Sequence, residues 1–297
     1  MKMWSLGLLV ALLLAFQPNT VCAAGNNGNS WRSRSSAVDS DTYLQTDTDA
    51  ELNFGREIAA RLLGQHKMSP NEKLQKYVNL VGTALSRNGN RSDLEFHFVV
   101  IESSEINAYS TPGGYVFITT AILAKMENEA ELAGVLAHEI AHVNERHIVK
   151  ELSLKGAEKS AVASLAALIG GASESVGIEF SQTVDKAVDM ILRDGYKKND
   201  EMQADAGAVL LCAFSGYDPS GLVTFLDKIG KVKSGIGKTY PVYDVRLATL
   251  QQSMSDEGIT EMKLALNTER FAENMTTKNS RNPFDLIRKI TSGGIHD

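Results

Sequence analysis

Several residue types and patterns are scarce in this chain, and each scarcity excludes a class of protein. The 297 residues contain only two cysteines, Cys22 and Cys212, which is too few for a disulfide framework. The apolar run Leu6–Phe16 has eleven residues, whereas a membrane-spanning helix needs about 20. The net charge is −6 and no basic stripe is present. This charge pattern argues against nucleic-acid binding.

The first 24 residues have the three parts of a secretory signal peptide. Lys2 provides the positive charge, Leu6–Phe16 the apolar segment, and residues 21–24 a small-residue cleavage site. We therefore predict an exported protein that is cleaved at this site. Cys22 raises the alternative of a membrane-associated lipoprotein, but the Asn-Thr-Val before it departs from the usual lipoprotein pattern.

The most informative segment is His-Glu-Ile-Ala-His at residues 138–142, inside an apolar stretch with helical periodicity. Side chains four residues apart lie on one face of a helix, so His138 and His142 can hold one metal ion between them. Glu139 lies beside them, placed to take a proton from a water on that metal. This pattern is a zinc-protease signature. His147 has the wrong angular offset to join the same metal, and we predict a supporting or packing role for it.

A catalytic zinc site needs a third protein ligand, and no histidine follows at the spacing that metzincins use. Residues 199–211 form a second predicted helix, with Asn199 or Asp200 as its N-cap. Glu201 and Asp205 are four residues apart on it and can both face the histidines. We predict that Glu201 ligates zinc and that Asp205 accepts the free ring N–H of a ligand histidine. The alternative is a solvated acidic face at a helix start.

Composition and hydrophobic periodicity divide the chain into four predicted segments. They are a signal peptide at 1–24, a flexible leader at 25–49, a zinc metallopeptidase domain at 50–267 and a C-terminal tail at 268–297. The predicted elements are helices at 51–63 and 72–86, a strand at 94–101, a hairpin at 106–119, a metal-binding helix from Asn128, and a helical cover for the cleft at 156–195.

Four blocks of the sequence, taken in order, resemble zinc metallopeptidases of the HtpX and CAAX-prenyl-protease type, which are gluzincins. The blocks are Asn107–Thr120, Glu131–His147, Glu201–Asp205 and Tyr240–Leu247. Within this type the resemblance is to the exported LoiP- and BepA-like periplasmic proteases. One position departs from the pattern, because the family usually has histidine where this chain has Tyr240.

The resemblance implies an α+β, mostly helical zincin-like domain with a small sheet whose edge strand lines the cleft. It implies one Zn²⁺ per chain and a periplasmic location. Asn107, Ala108 and Tyr109 would form the strand that binds an extended peptide through main-chain hydrogen bonds. Either Arg246 or Tyr240 would donate to the oxyanion. The alternatives are that Arg246 pairs with a carboxylate of the site and that Tyr240 caps a turn before a proline.

The function that follows is a zinc-dependent endopeptidase acting on unfolded or misfolded envelope proteins. Association with the outer membrane or its assembly machinery is part of this expectation. The alternative is a zinc-stabilised chaperone or outer-membrane assembly factor with secondary proteolysis. The presence of Glu139 favours the protease, because a binding module has no use for a base beside its metal.

Overall fold

The computed structural model describes residues 45–152, 174–230 and 243–275, which form a mostly helical α+β fold. The strands are β1 (Lys67–Met68), β2 (His97–Glu102), β3 (Ala108–Thr111) and β4 (Tyr115–Thr119). The helices are α1 (Gln45–Gln65), α2 (Glu72–Ser86), α3 (Thr120–Leu123), α4 (Glu129–Asn144), α5 (His147–Leu152), α6 (Glu174–Asp189), α7 (Lys198–Phe214), α8 (Ser220–Gly230), α9 (Tyr243–Asp256) and α10 (Thr268–Met275). The predicted fold class is confirmed.

Some predicted features lie outside the described residues. These are the signal peptide, Cys22, most of the leader, Tyr240, the last part of the tail and residues 156–173 of the predicted cleft cover. Residues 174–189 of that cover form α6. Among the described helices, none combines the length and the apolar character that crossing a bilayer would require.

β3 lies at the edge of the four-stranded sheet that the described residues form. The strand order is β1-β2-β4-β3, with β2 parallel and β3 antiparallel to β4. The hairpin between β3 and β4 turns at Pro112–Gly114, where φ is 75° at Gly113 and 88° at Gly114. Glycine adopts such positive φ values without steric cost. The predicted hairpin is confirmed, and one side of β3 faces away from its partner strand.

α4 is the central helix, and all of its residues are buried. It packs against α7, α8, α2 and β3. A helix covered on every side has no solvent face, so its polar residues, which include His138, Glu139 and His142, are buried together with its apolar ones. The Asn128 side chain caps α4 by accepting the N–H of Glu131 at 3.0 Å. The predicted start of this helix is therefore confirmed.

α7 begins slightly earlier than the sequence predicts. Its first residue is Lys198, and the N–H of Glu201 donates to the carbonyl of Lys197 at 3.0 Å. Lys197 thus serves as the N-cap through its backbone, which a rule based on capping side chains does not detect. Further along, a Cβ built at Gly207 would lie only 2.9 Å from the Cβ of Ala141 on α4. Gly207 therefore allows the close approach of α7 to α4.

Two segment ends differ from the prediction. α1 begins at Gln45, inside the predicted leader at 25–49. α10 forms inside the predicted tail at 268–297, and its Phe271 is only 3% exposed and packs against Tyr77 of α2. α10 is short and mostly polar, so periodicity gives little signal for it, and its place in the domain comes from this tertiary contact.

We predict that Gly55→Ala destabilises the protein strongly. A Cβ at Gly55 of α1 would lie 1.7 Å from the carbonyl oxygen of Pro112, so the hairpin turn would have to move. We expect a loss of about 1–3 kcal/mol or more in the free energy of unfolding, measured by urea denaturation. Gly64→Ala is the matched control, because nothing lies within 4 Å of its Cβ. It should stabilise α1 by up to about 1 kcal/mol. Equal midpoints for the two variants would contradict this packing.

Candidate metal centre

Three ligand atoms converge between α4 and α7. The Nε2 atoms of His138 and His142, one turn apart on α4, are 3.1 Å apart. Glu201, in the first turn of α7, places Oε2 3.4 Å from His138 Nε2 and Oε1 3.7 Å from His142 Nε2. All three residues are buried. The structure therefore brings together the three residues that we predicted as metal ligands.

This triad fits a tetrahedral zinc ion. Bonds of about 2.0–2.1 Å from zinc to nitrogen and oxygen place neighbouring ligand atoms roughly 3.3 Å apart, close to the distances between these atoms. Glu201 Oε2 is buried without a hydrogen-bond donor. Such an atom costs free energy unless a cation satisfies it. Two imidazoles and a carboxylate also form one of the ligand sets of catalytic zinc sites.

Asp205 binds the side of the His138 ring that faces away from the triad. Its Oδ1 lies 3.0 Å from His138 Nδ1. Burial disfavours a charged Asp205, but Arg246 outweighs burial and keeps the pKa of this carboxyl below its usual range. Burial and Arg246 also oppose protonation of His138, yet its contacts with the carboxylates of Asp205 and Glu201 raise its pKa to about 9. A bound metal ion must compete with that proton.

Arg246 of α9 forms a bidentate ion pair with Asp205. Its Nε lies 2.8 Å from Oδ2 and its Nη2 lies 2.6 Å from Oδ1. The remaining nitrogen, Nη1, is 3.5 Å from Glu201 Oε2. We considered two roles for Arg246, pairing with a carboxylate of the site and donation to the oxyanion. The bidentate pair with Asp205 favours the first role. Tyr240, the other predicted donor, lies outside the described residues.

Glu139 follows His138 on α4 and is also buried, at 7% exposure. The hydroxyl of Ser110 on β3 donates to Glu139 Oε2 at 2.8 Å. Burial raises the pKa of Glu139 above its ordinary value, although His138 and Ser110 oppose this shift. Sequence reasoning missed Ser110. Its position in the strand directly after Tyr109 is the signal that could have identified it.

The predicted substrate strand lies beside this carboxylate. Ala108 and Tyr109 belong to β3, and Asn107 precedes it. The carbonyl of Asn107 still accepts the N–H of Thr119 at 3.1 Å, which continues the pairing with β4. Because β3 contacts α4 directly, the edge strand lies next to the predicted metal ligands.

The sequence model of Peptidase family M48 matches residues 72–254. This range covers more than half of the chain and includes every site residue named above. The chain belongs to Peptidase family M48. The predicted resemblance to the HtpX-type zinc metallopeptidases is thereby confirmed.

Individual members of family M48 are similar to this chain over part of their length. The Beta-barrel assembly-enhancing protease of Yersinia pestis is 28% identical over 212 residues, which are 67% of this chain and 43% of that protein. The protease of the same name from Escherichia coli (strain K12) is 29% identical over 184 residues, 60% of this chain and 37% of that protein. A Protease HtpX homolog of Methylacidiphilum infernorum is 30% identical over 156 residues, 46% of this chain and 50% of that protein. The chain thus spans less than half the length of the two assembly-enhancing proteases.

In this M48 chain, a further histidine contacts the predicted ligand His142. His147 Nδ1 lies 2.8 Å from His142 Nδ1, and His147 Nε2 lies 3.1 Å from Gln203 Oε1. The ring of Tyr196 stacks on His142 with a centroid distance of 3.8 Å. Sequence reasoning missed Tyr196 and Gln203. Gln203 lies between Glu201 and Asp205 on α7, a position that could have identified it.

We predict that Arg246→Gln destabilises the metal-free protein by about 3–5 kcal/mol, because it leaves Asp205 buried without its cation. The measurement is the free energy of unfolding in urea. Arg193→Gln is the control, since Arg193 forms an exposed pair with Asp189 at 3.2 Å. That change should cost about 0.5 kcal/mol or less. Similar losses for the two variants would show that the buried pair does not stabilise the fold in this way.

Proposed function

We propose that this chain is a zinc-dependent endopeptidase that hydrolyses peptide bonds of unfolded or misfolded envelope proteins. The observation that carries the proposal is the buried Oε2 of Glu201, which has no hydrogen-bond donor and lies within 3.4 Å of His138 Nε2. A second buried carboxylate, Glu139, follows the first ligand directly in the sequence. A ligand set with a base beside it is the arrangement of a hydrolytic metal site.

His138, His142 and Glu201 would hold one zinc ion per chain. When bound, zinc supplies Lewis acidity, which makes a peptide carbonyl more electrophilic and a water molecule more acidic. Asp205 holds the His138 ring with Nε2 toward the ligand site, as outer carboxylates do for metal-binding histidines. Arg246 acts on the site through Asp205, so its role here is to position that carboxylate.

Glu139 would act first as general base and then as general acid. Its carboxylate takes a proton from the attacking water and later gives the proton to the leaving amine. The raised pKa of Glu139 suits this role, because a base is most effective when its pKa approaches the working pH. Ser110 binds only Oε2, so Oε1 is the atom that exchanges the proton. Donation to the oxyanion by Tyr240 stays a prediction.

The substrate would bind as an added strand along the edge of β3. Antiparallel or parallel pairing there uses main-chain hydrogen bonds, which any extended polypeptide can form. Folded proteins keep their backbone groups paired internally, so this mode selects unfolded chains with loose sequence preference. The contact between Ser110 of β3 and Glu139 keeps the edge strand in register with the base.

The site of action is proposed from the relatives and from the N-terminal sequence. The Yersinia pestis and Escherichia coli relatives bear the name Beta-barrel assembly-enhancing protease. The signal-like residues 1–24 support export. We therefore place the enzyme in the periplasm, associated with the outer membrane or its assembly machinery, with unfolded polypeptides as substrates.

The proposal predicts that Glu139→Gln abolishes cleavage of an unfolded polypeptide such as reduced casein. Loss of a general base lowers the rate by about 10²- to 10⁴-fold, while zinc content should stay near one equivalent. Glu102→Gln, an exposed glutamate at the end of β2, is the control and should cleave normally. If the Glu139 variant cleaves as fast as the wild type, the base assignment fails. If neither protein cleaves but both suppress aggregation of the casein, the protein is a zinc-stabilised chaperone.

Metal analysis of two further variants tests the ligand set. Glu201→Gln should reduce zinc binding more than Asp205→Asn, because the first change removes a ligand atom. The second change removes a support of a ligand, and such changes typically weaken affinity about 10- to 100-fold. The zinc affinity of each variant is measured by competition with a chelator. The reverse order of effects would exchange the roles that we assign to these carboxylates.

A further inference from the structure

The ring of His142 has a second partner, on the side that faces away from the ligand triad. Its Nε2 points toward His138 and Glu201, whereas its Nδ1 lies 2.8 Å from His147 Nδ1. His147 is only 1% exposed, and its other nitrogen lies 3.1 Å from Gln203 Oε1. The three side chains thus form one chain of hydrogen bonds, which starts at the proposed ligand His142, passes through the buried His147 and ends at the exposed Gln203.

When His142 binds a metal, only one placement of the protons on the ring nitrogens of His142 and His147 is possible. A ligating Nε2 carries no proton, so a neutral His142 carries its proton on Nδ1 and donates it. His147 Nδ1 must then be the acceptor. A neutral His147 keeps its proton on Nε2 and donates it to the amide oxygen of Gln203. Every group in the chain is satisfied, and the amide oxygen at its end can only accept.

The backbone at Arg146 makes this contact between neighbouring histidines possible. On one continuous helix, residues five apart do not meet. Arg146 adopts φ 53°, which ends α4 and starts α5 at His147. Its guanidinium lies 3.4 Å from the buried Glu51 of α1, which also binds both terminal nitrogens of Arg91 at 3.0 Å. Buried ion pairs therefore stabilise the unusual backbone that returns His147 to His142.

Little space is left for water beside His142 and His147. The space beside the two rings, lined also by Ser110 and Tyr196, amounts to about 10 Å³, which is room for one water molecule at most. The Tyr196 ring covers the face of His142 at an interplanar angle of 17°. The His142 ring is thus held on its face by Tyr196 and at Nδ1 by His147.

We infer that His147 is a positioning residue for zinc, acting as the neutral acceptor that fixes the tautomer and orientation of His142, with Gln203 fixing His147 in turn. The inference rests on the proposed function, because it assigns His142 as a zinc ligand. The carboxylate of Asp205 fixes the ring of His138 in this way. For His142 the same role falls to the imidazole of His147, which is held in turn by the amide of Gln203. The second arrangement adds no charge to a site that already holds Glu139, Glu201 and Asp205.

The tautomer is tested directly by NMR on the zinc-loaded wild-type protein labelled with ¹⁵N-histidine. Long-range ¹H–¹⁵N correlations distinguish a protonated ring nitrogen from an unprotonated one. We expect His147 to be protonated at Nε2 and unprotonated at Nδ1. A protonated Nδ1 would overturn the inference. A residue that merely packs in this place has no required tautomer, so the result separates positioning from packing without any variant.

Zinc affinity of variants, from chelator competition, tests the consequence. His147→Phe removes the acceptor and should weaken zinc binding about 10- to 100-fold. His147→Asn keeps an acceptor oxygen near the place of Nδ1 and should recover most of that loss. His97→Phe makes the same change at an exposed histidine of β2 and should leave the affinity unchanged. Thermal unfolding of the metal-free proteins identifies any variant that fails to fold.

The outcomes separate this inference from the proposed function. If His147→Phe folds and keeps wild-type zinc affinity, the inference fails and the endopeptidase proposal stands. If the wild type binds zinc with the expected His147 tautomer but shows no proteolysis that depends on Glu139, the proposed function fails and the positioning role stands. A wild-type protein that binds no zinc would overturn both.

Discussion

The close packing of α7 against α4 is the contact on which the site depends. It brings the first turn of α7, with Glu201, opposite the two histidines of α4, and it is tight because Gly207 leaves room for Ala141. The same contact removes water from the carboxylates and imidazoles between the helices. Burial of so many ionisable groups costs free energy. The bidentate pair between Arg246 and Asp205 offsets part of this cost, and the proposed zinc ion would complete the triad.

Hydrogen bonds and ion pairs of buried carboxylates also fix both ends of α4. At its start, Glu129 accepts a hydrogen bond from Tyr77 of α2 at 2.8 Å and pairs with Arg270 of α10. Burial alone would raise the pKa of Glu129, but Arg270 and Tyr77 outweigh it and lower this pKa. Just past its end, Arg146 pairs with Glu51 of α1. α4, which carries the two candidate ligand histidines, is therefore held at both ends by elements that are far from it in sequence.

The parts of the site that could be predicted from the sequence are those that depend on local periodicity. An i,i+4 spacing on a helix places two side chains together whatever surrounds the helix. For this reason the pairing of His138 with His142, and of Glu201 with Asp205, follows from the amino-acid spacing alone. The hairpin after Asn107 is local too, because glycines at the turn allow the positive φ that it needs. The boundaries of the predicted leader and tail were less predictable from the sequence. For the tail the reason is that α10 depends on tertiary contacts and not on local periodicity.

The family, the main helices, the hairpin and the residue types of the proposed zinc site all follow from the amino-acid sequence. Which side chains support that site follows only from the packing of the folded chain. Ser110 reaches Glu139 from another element, and Arg246 pairs with Asp205 because α9 packs against α7. His147 meets His142 through one positive φ that no periodicity reveals. The physical reason is that hydrogen bonds and ion pairs between separate elements depend on packing, and packing is set by the whole chain.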